Sequence, residues 1–108
     1  MANYLLLYNG GSVPAEEIEF KAILKEWEAW YTSLGSAVID PGNPFIDDAR
    51  SVSSEGRISV GPVGVMASGY AIIRAESLDA AAMLAKSCPV LKGTAKITVY
   101  ETYDPRGM

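Results

Sequence analysis

The chain has 108 residues, 49% of them apolar and 20% charged, with a formal net charge of -4. That is the size and composition of one globular domain, 1–108, and the acidic balance is the wrong sign for a nucleic-acid binder. There is no histidine and a single cysteine, Cys88, which excludes Ser-His-Asp triads, His-ligated zinc or haem, intrachain disulfides and four-thiolate metal sites.

Tyr4-Leu5-Leu6-Leu7-Tyr8 is a short apolar run closed by Asn9-Gly10-Gly11, which predicts a buried strand ending in a turn. The run is too short for a signal core or a membrane span and has no basic residue ahead of it. A cytoplasmic protein without membrane contact is expected. A helix follows, opened by Ser12 or Pro14, with Glu16, Glu17 and Glu19 at the positive end of its dipole. It is predicted to run to about Leu34, with Gly35 as its stop. At about 100° per residue, Phe20, Leu24, Trp27, Tyr31 and Leu34 share one arc, and Ile23 and Trp30 widen one edge of it.

Ser36-Ala37-Val38-Ile39 predicts a second strand, ended by Asp40-Pro41-Gly42-Asn43-Pro44, where prolines and glycine forbid regular structure. Arg50–Ser53 and Arg57–Val60 flank Ser54-Glu55-Gly56 and read as a small polar hairpin, with Gly56 at positive φ. Tyr70–Ala75 is the next strand. Ser77 caps a second helix with Asp79 in its first turn. Leu78, Ala81, Ala82 and Ala85 share a face of that helix, Cys88 continues it, and Pro89 ends it. Ala95–Tyr100 is the last strand.

Without the hairpin, the order is β-α-β-β-α-β, which predicts an α+β, ferredoxin-like sheet with both helices on one face. The other face has to be covered as well. Leu5 and Leu7 alternate with Tyr4, Leu6 and Tyr8, and Tyr70 and Ile72 alternate with Ala71 and Ile73, so neither face is polar. A bare apolar face of that size is rare on a monomer. The economical cover is a second copy of the sheet, so a homodimer is expected.

Several segments resemble the YCII-related family, in the branch named for an Asp-Gly-Pro-Phe motif. They are Tyr4-Leu5-Leu6-Leu7-Tyr8, Trp27-Glu28-Ala29-Trp30 with Leu34-Gly35, and Asp40-Pro41-Gly42-Asn43-Pro44-Phe45. The Val52–Gly56 hairpin, Gly69-Tyr70-Ala71-Ile72-Ile73 and Ala85-Lys86-Ser87-Cys88-Pro89-Val90-Leu91 complete the pattern. The resemblance implies a dimeric α+β barrel, two ferredoxin-like sheets packed face to face. Some relatives are thought to use a His–Asp pair, and the branch is associated with sigma-factor regulation. Here Cys88 stands where that Asp would precede a proline, no histidine exists, and the motif reads Val60-Gly61-Pro62-Val63. The hydrolytic chemistry proposed for those relatives therefore does not carry over.

Two function classes remain, and whether the chain is an enzyme is left open. One is a small-molecule-binding or regulatory module with an aromatic-lined pocket near the dimer interface, taking a small apolar or aromatic ligand. Tyr8, Trp27, Trp30 and Tyr70 would line it, Asn43 would orient the ligand or serve only as a turn residue, and Arg74 would fix a carboxylate or phenolate or, more simply, pair with Glu101 or Glu76. Tyr4, Tyr8 and Tyr70 are expected on the sheet face away from the helices; the alternative is that these rings simply fill the dimer core. The other class is a cofactor-independent lyase, isomerase or oxygenase with Asp40 as base; the plainer reading of Asp40 is an acceptor for loop amides such as those of Gly42 and Asn43. Cys88, at a helix C-terminus, is expected to be structural rather than nucleophilic. The adjacent acids Asp47-Asp48 and Glu16-Glu17 lack a third ligand, so neither metal nor cofactor is expected.

Overall fold

The computed structural model describes residues 1–10 and 17–107. The expected start of the first helix at Ser12 or Pro14, with Glu16, and the side chain of Phe20 lie outside what is described. β1 spans Ala2–Asn9, a residue or two longer at each end than its apolar run. α1 runs Glu17–Leu34 and ends at Gly35 as expected. Gly35–Ala37 then forms a 3-10 turn, so β2 starts two residues later than expected, as Val38–Asp40. Ser36 and Ala37 are poor strand formers, and tightening the end of a helix is a common use of such residues. β3 (Arg50–Val52) and β4 (Ile58–Val60) form the expected hairpin. β5 is Ala67–Ala75, α2 is Leu78–Ala85 and β6 is Lys96–Glu101.

The main sheet has the order β2-β5-β1-β6, and every neighbouring pair is antiparallel. β3 and β4 make a separate two-stranded sheet. This is an α+β architecture, and among the described residues no helix is long and apolar enough to cross a membrane.

Register decides which side chains share a face. Tyr4, Leu6 and Tyr8 of β1 stand opposite Ile73, Ala71 and Gly69 of β5. All six are buried, and they pack with Trp30, Ala81, Ala85 and Cys88, so residues of both helices cover this face. Removing Leu6 or Ile73 from water contributes about 2 kcal/mol each. Leu5, Leu7, Tyr70 and Ile72 occupy the opposite face, where they are half-buried. The expectation that Tyr4 and Tyr8 share a face with Tyr70 is therefore wrong: Tyr70 pairs with Leu7, one residue out of step with Tyr8.

The two helices approach the sheet differently. α2 presents Ala81 and Ala85, whose methyl groups allow close packing on the small face of Ala71 and Ala75. Leu78 and Ala82, expected on that face, are exposed. The buried stripe is centred instead on Ala81, Ala85 and Cys88, because α1 lies alongside. The Trp30 indole N–H donates to Ser87 Oγ at 3.0 Å and, more weakly, to the Leu84 carbonyl at 3.4 Å. The same contact turns α1. Trp30 is buried, Ile23, Trp27, Tyr31 and Leu34 are half-buried, and Leu24 is exposed.

The β3–β4 hairpin departs from expectation in polarity. Gly56 has the positive φ its turn requires, 84°. The strands, however, expose Val52, Ile58 and Val60, with the nearby Ile46, Val63 and Val65 also exposed.

Candidate functional site

Asp40 is the last residue of β2, and its carboxylate is held at both oxygens. The Gly42 backbone N–H donates to Oδ1 at 2.8 Å, and the Tyr70 hydroxyl donates to Oδ2 at 3.1 Å. The first bond is the expected loop amide; the second comes from Tyr70 where Asn43 was the other expected donor. The carboxylate raises the Tyr70 pKa, first through the hydrogen bond and then through its charge, with burial adding less. Tyr70 is thus held as a neutral donor.

The loop after Asp40 lies tightly along β5. Pro44 bridges to Gly69, and the Phe45 N–H donates to the Ser68 carbonyl at 2.8 Å. Gly42 has φ +69°, and a Cβ there would sit 1.7 Å from the Tyr70 carbonyl oxygen. Only glycine fits. From the helix side, the Tyr31 hydroxyl donates to the Pro41 carbonyl at 2.8 Å. Burial, with Cys88 and Asp40 nearby, pushes the Tyr31 phenol up to about 12.

The loop thereby lays Phe45 on the open sheet face, stacked against Tyr70 with ring centroids 5.9 Å apart. Leu5 pairs with Ile72 and Tyr100, and Leu7 pairs with Tyr70 and Thr98. The result is an aromatic and aliphatic floor, Phe45, Tyr70, Leu7, Leu5, Ile72 and Tyr100, with the Asp40 carboxylate at its β2 edge.

The residues expected to line one pocket are divided by the sheet. Tyr8, Trp27 and Trp30 form an aromatic cluster on the helix side, with Tyr8 and Trp27 centroids 5.6 Å apart and Trp27 and Trp30 edge to face at 5.8 Å. Tyr70 and Arg74 lie on the open face, two strand repeats apart, and Asn43 is exposed in the loop at the β2 edge. Phe45, Leu5, Leu7, Ile72 and Tyr100 belong beside Tyr70 but were not among the expected site residues. Their signal was the spacing of Gly69, Ala71 and Ala75. Small residues at alternate positions mark the strand face on which an alanine-rich helix sits, so Tyr70, Ile72 and Arg74 must face away.

Cys88 is buried, and burial pushes its thiol pKa up, with the Val90 backbone and the Tyr8 hydroxyl opposing that shift. Tyr8 is likewise raised, first by burial and then by the adjacent Cys88 and Tyr31. Its buried hydroxyl lies against the Cys88 thiol. A protonated, enclosed thiol is a poor nucleophile, in line with the structural reading.

No family model matches this chain, and no curated protein matches it.

Proposed function

We propose that the chain is a YCII-related, ferredoxin-like module that pairs with a second copy through its open sheet face and binds a small apolar or aromatic molecule beside that interface. With the hairpin set aside, the strand order β2-β5-β1-β6 with both helices on one face supports the ferredoxin-like reading. One observation carries the functional reading. The face away from the helices is a continuous floor of Leu5, Leu7, Tyr70 and Ile72, extended by Phe45 and Tyr100, which are 43% and 51% exposed. Floors of this kind mark interaction or ligand sites.

The binding reading is favoured over a cofactor-independent enzyme with Asp40 as base. Both Asp40 oxygens already accept hydrogen bonds, one from a loop amide and one from Tyr70. In that arrangement Asp40 positions Tyr70 and the loop that carries Phe45. The cytoplasm is the expected compartment.

Amide chemical-shift mapping with a panel of small aromatic molecules tests the reading. Shifts should cluster at Phe45 and Tyr100, the exposed extension of the face beside the interface. Shifts confined to the helix side, or none at millimolar concentration, would overturn it.

A further inference from the structure

The β3–β4 hairpin has two unlike faces. Val52 pairs with Ile58 and Arg50 with Val60, so these four side chains share one face, and the paired Ser51 and Ser59 stand on the other. The ladder is closed at both ends. The Gly61 N–H donates to the Ala49 carbonyl at 2.9 Å, and the Ser53 N–H donates to the Arg57 carbonyl at 2.9 Å. A sheet that is apolar on one side and polar on the other is built to be covered on the apolar side. Yet Val52, Ile58 and Val60, with Ile46, Val63 and Val65 in the flanking segments, are 67–87% exposed. A two-stranded hairpin standing alone in water is marginal at best.

The chain leaves this arm outside its body. β3 and β4 form a sheet of their own, and the Cα radius of gyration is 15.4 Å where about 13 Å is usual for a chain of this length. The arm is rooted at the open face. Residues 46–49 join it to Phe45, which stacks on Tyr70, and residues 61–66 return from it to β5. Area points to the same neighbour. A standard interface takes roughly 800 Å2 from each partner, about two-thirds of it apolar in homodimers. The open face offers roughly 300 Å2 of apolar side chain, because Leu5, Leu7, Tyr70 and Ile72 are already half-buried. The six aliphatic residues of the arm and its flanks offer roughly 500 Å2 more. Face and arm together reach the size that a stable pair needs; the face alone does not.

We propose that the hairpin is an arm that clasps the second copy, laying Val52, Ile58 and Val60 against it while Ser51 and Ser59 face water. This rests on the reading that two copies pair through the open face, and it names a second, separate contact of that pair.

Mixed dimers of labelled and unlabelled chain test the arm directly, through NOEs filtered for contacts between copies. The methyl groups of Val52, Ile58 and Val60 should show them. Ile58→Thr combined with Val60→Thr keeps β-branched residues in β4, so the hairpin still forms. Sedimentation should then show a dimer weakened about a hundredfold, since each loss counts twice in a two-fold pair. Ser59→Lys, on the serine face, should leave the parent dimer constant unchanged. A dimer without contacts from these methyls, one unmoved by the double threonine variant, or one disrupted by Ser59→Lys would overturn the arm and leave pairing through the sheet standing. A parent chain that is a monomer at micromolar concentration removes the second copy, and the proposal falls with it.

Discussion

The Tyr70 hydroxyl donates to Asp40 Oδ2 at 3.1 Å across the irregular pairing of β2 with β5. This contact joins the loop to the floor of the open face, and it raises the Tyr70 pKa chiefly through the hydrogen bond and the carboxylate's charge. Asp40→Asn removes the charge and keeps the shape. The Tyr70 phenol should then ionise at lower pH than in the parent, as read by a tyrosine-labelled NMR titration. An unchanged Tyr70 titration would mean that the two side chains do not meet in solution.

Gly42 supports the same loop through backbone geometry. At φ +69°, with the Tyr70 carbonyl oxygen 1.7 Å from the position of a Cβ, alanine demands a shift of backbone against backbone. Gly56 also has positive φ but has open space around it. Gly56→Ala should cost about 1 kcal/mol, the left-handed penalty alone. Gly42→Ala should cost about 3 kcal/mol or more, with strain added to that penalty. Urea denaturation of both variants makes the comparison, and equal losses would contradict the close approach of loop and strand.

Cys88 should behave as a packing residue. Cys88→Ala should cost about 1 kcal/mol or less, because little apolar volume is lost. Cys88→Asp places an unpaired charge in the same enclosed position and should cost several times more. The native thiol should label slowly at neutral pH and quickly once the chain is unfolded. Fast native labelling would make the thiol accessible and reopen a chemical role for it.

Stability should fall in alkali. Tyr4, Tyr8, Tyr31, Tyr70 and Cys88 all bind their protons more tightly in the folded chain, Tyr31 up to about 12. Groups raised in the folded state contribute stability that is fully present below their unfolded values and is lost as pH rises through the folded ones. The window therefore opens near pH 9 for Cys88, whose ordinary value is 9.0, and near pH 10 for the tyrosines. The melting temperature should be level from pH 6 to about 8.5 and fall steeply above about pH 10. Phenolate absorbance should lag behind that of the denatured chain. A melting temperature that holds steady to pH 11 would contradict the raised values of these groups in the folded chain.

Much of the fold was legible because its signals are local. The apolar run at Tyr4–Tyr8, the Ser77 cap, whose side chain accepts the Ala80 N–H at 3.0 Å, and the Gly56 turn each act within a few residues. What the sequence did not disclose depends on registration between distant segments. The face taken by Tyr8 follows from its pairing with Gly69, and the burial of Trp30 follows from acceptors at Leu84 and Ser87. Asp40 was legible as a loop anchor through Gly42, but its second partner lies thirty residues on, in Tyr70. Phe45 joined the site only because its N–H bonds to Ser68, which no local pattern records.

The association state tests the central claim most directly, because the whole reading depends on a second copy covering Leu5, Leu7, Tyr70 and Ile72. Sedimentation equilibrium at micromolar concentration should give twice the 11.5 kDa of one chain. Ile72→Glu, a charge set in the middle of the open face and away from the helix-covered core, should reduce the mass to that of one chain while the circular dichroism stays folded. A parent chain sedimenting at 11.5 kDa, or an Ile72→Glu variant that remains a dimer, would contradict the account.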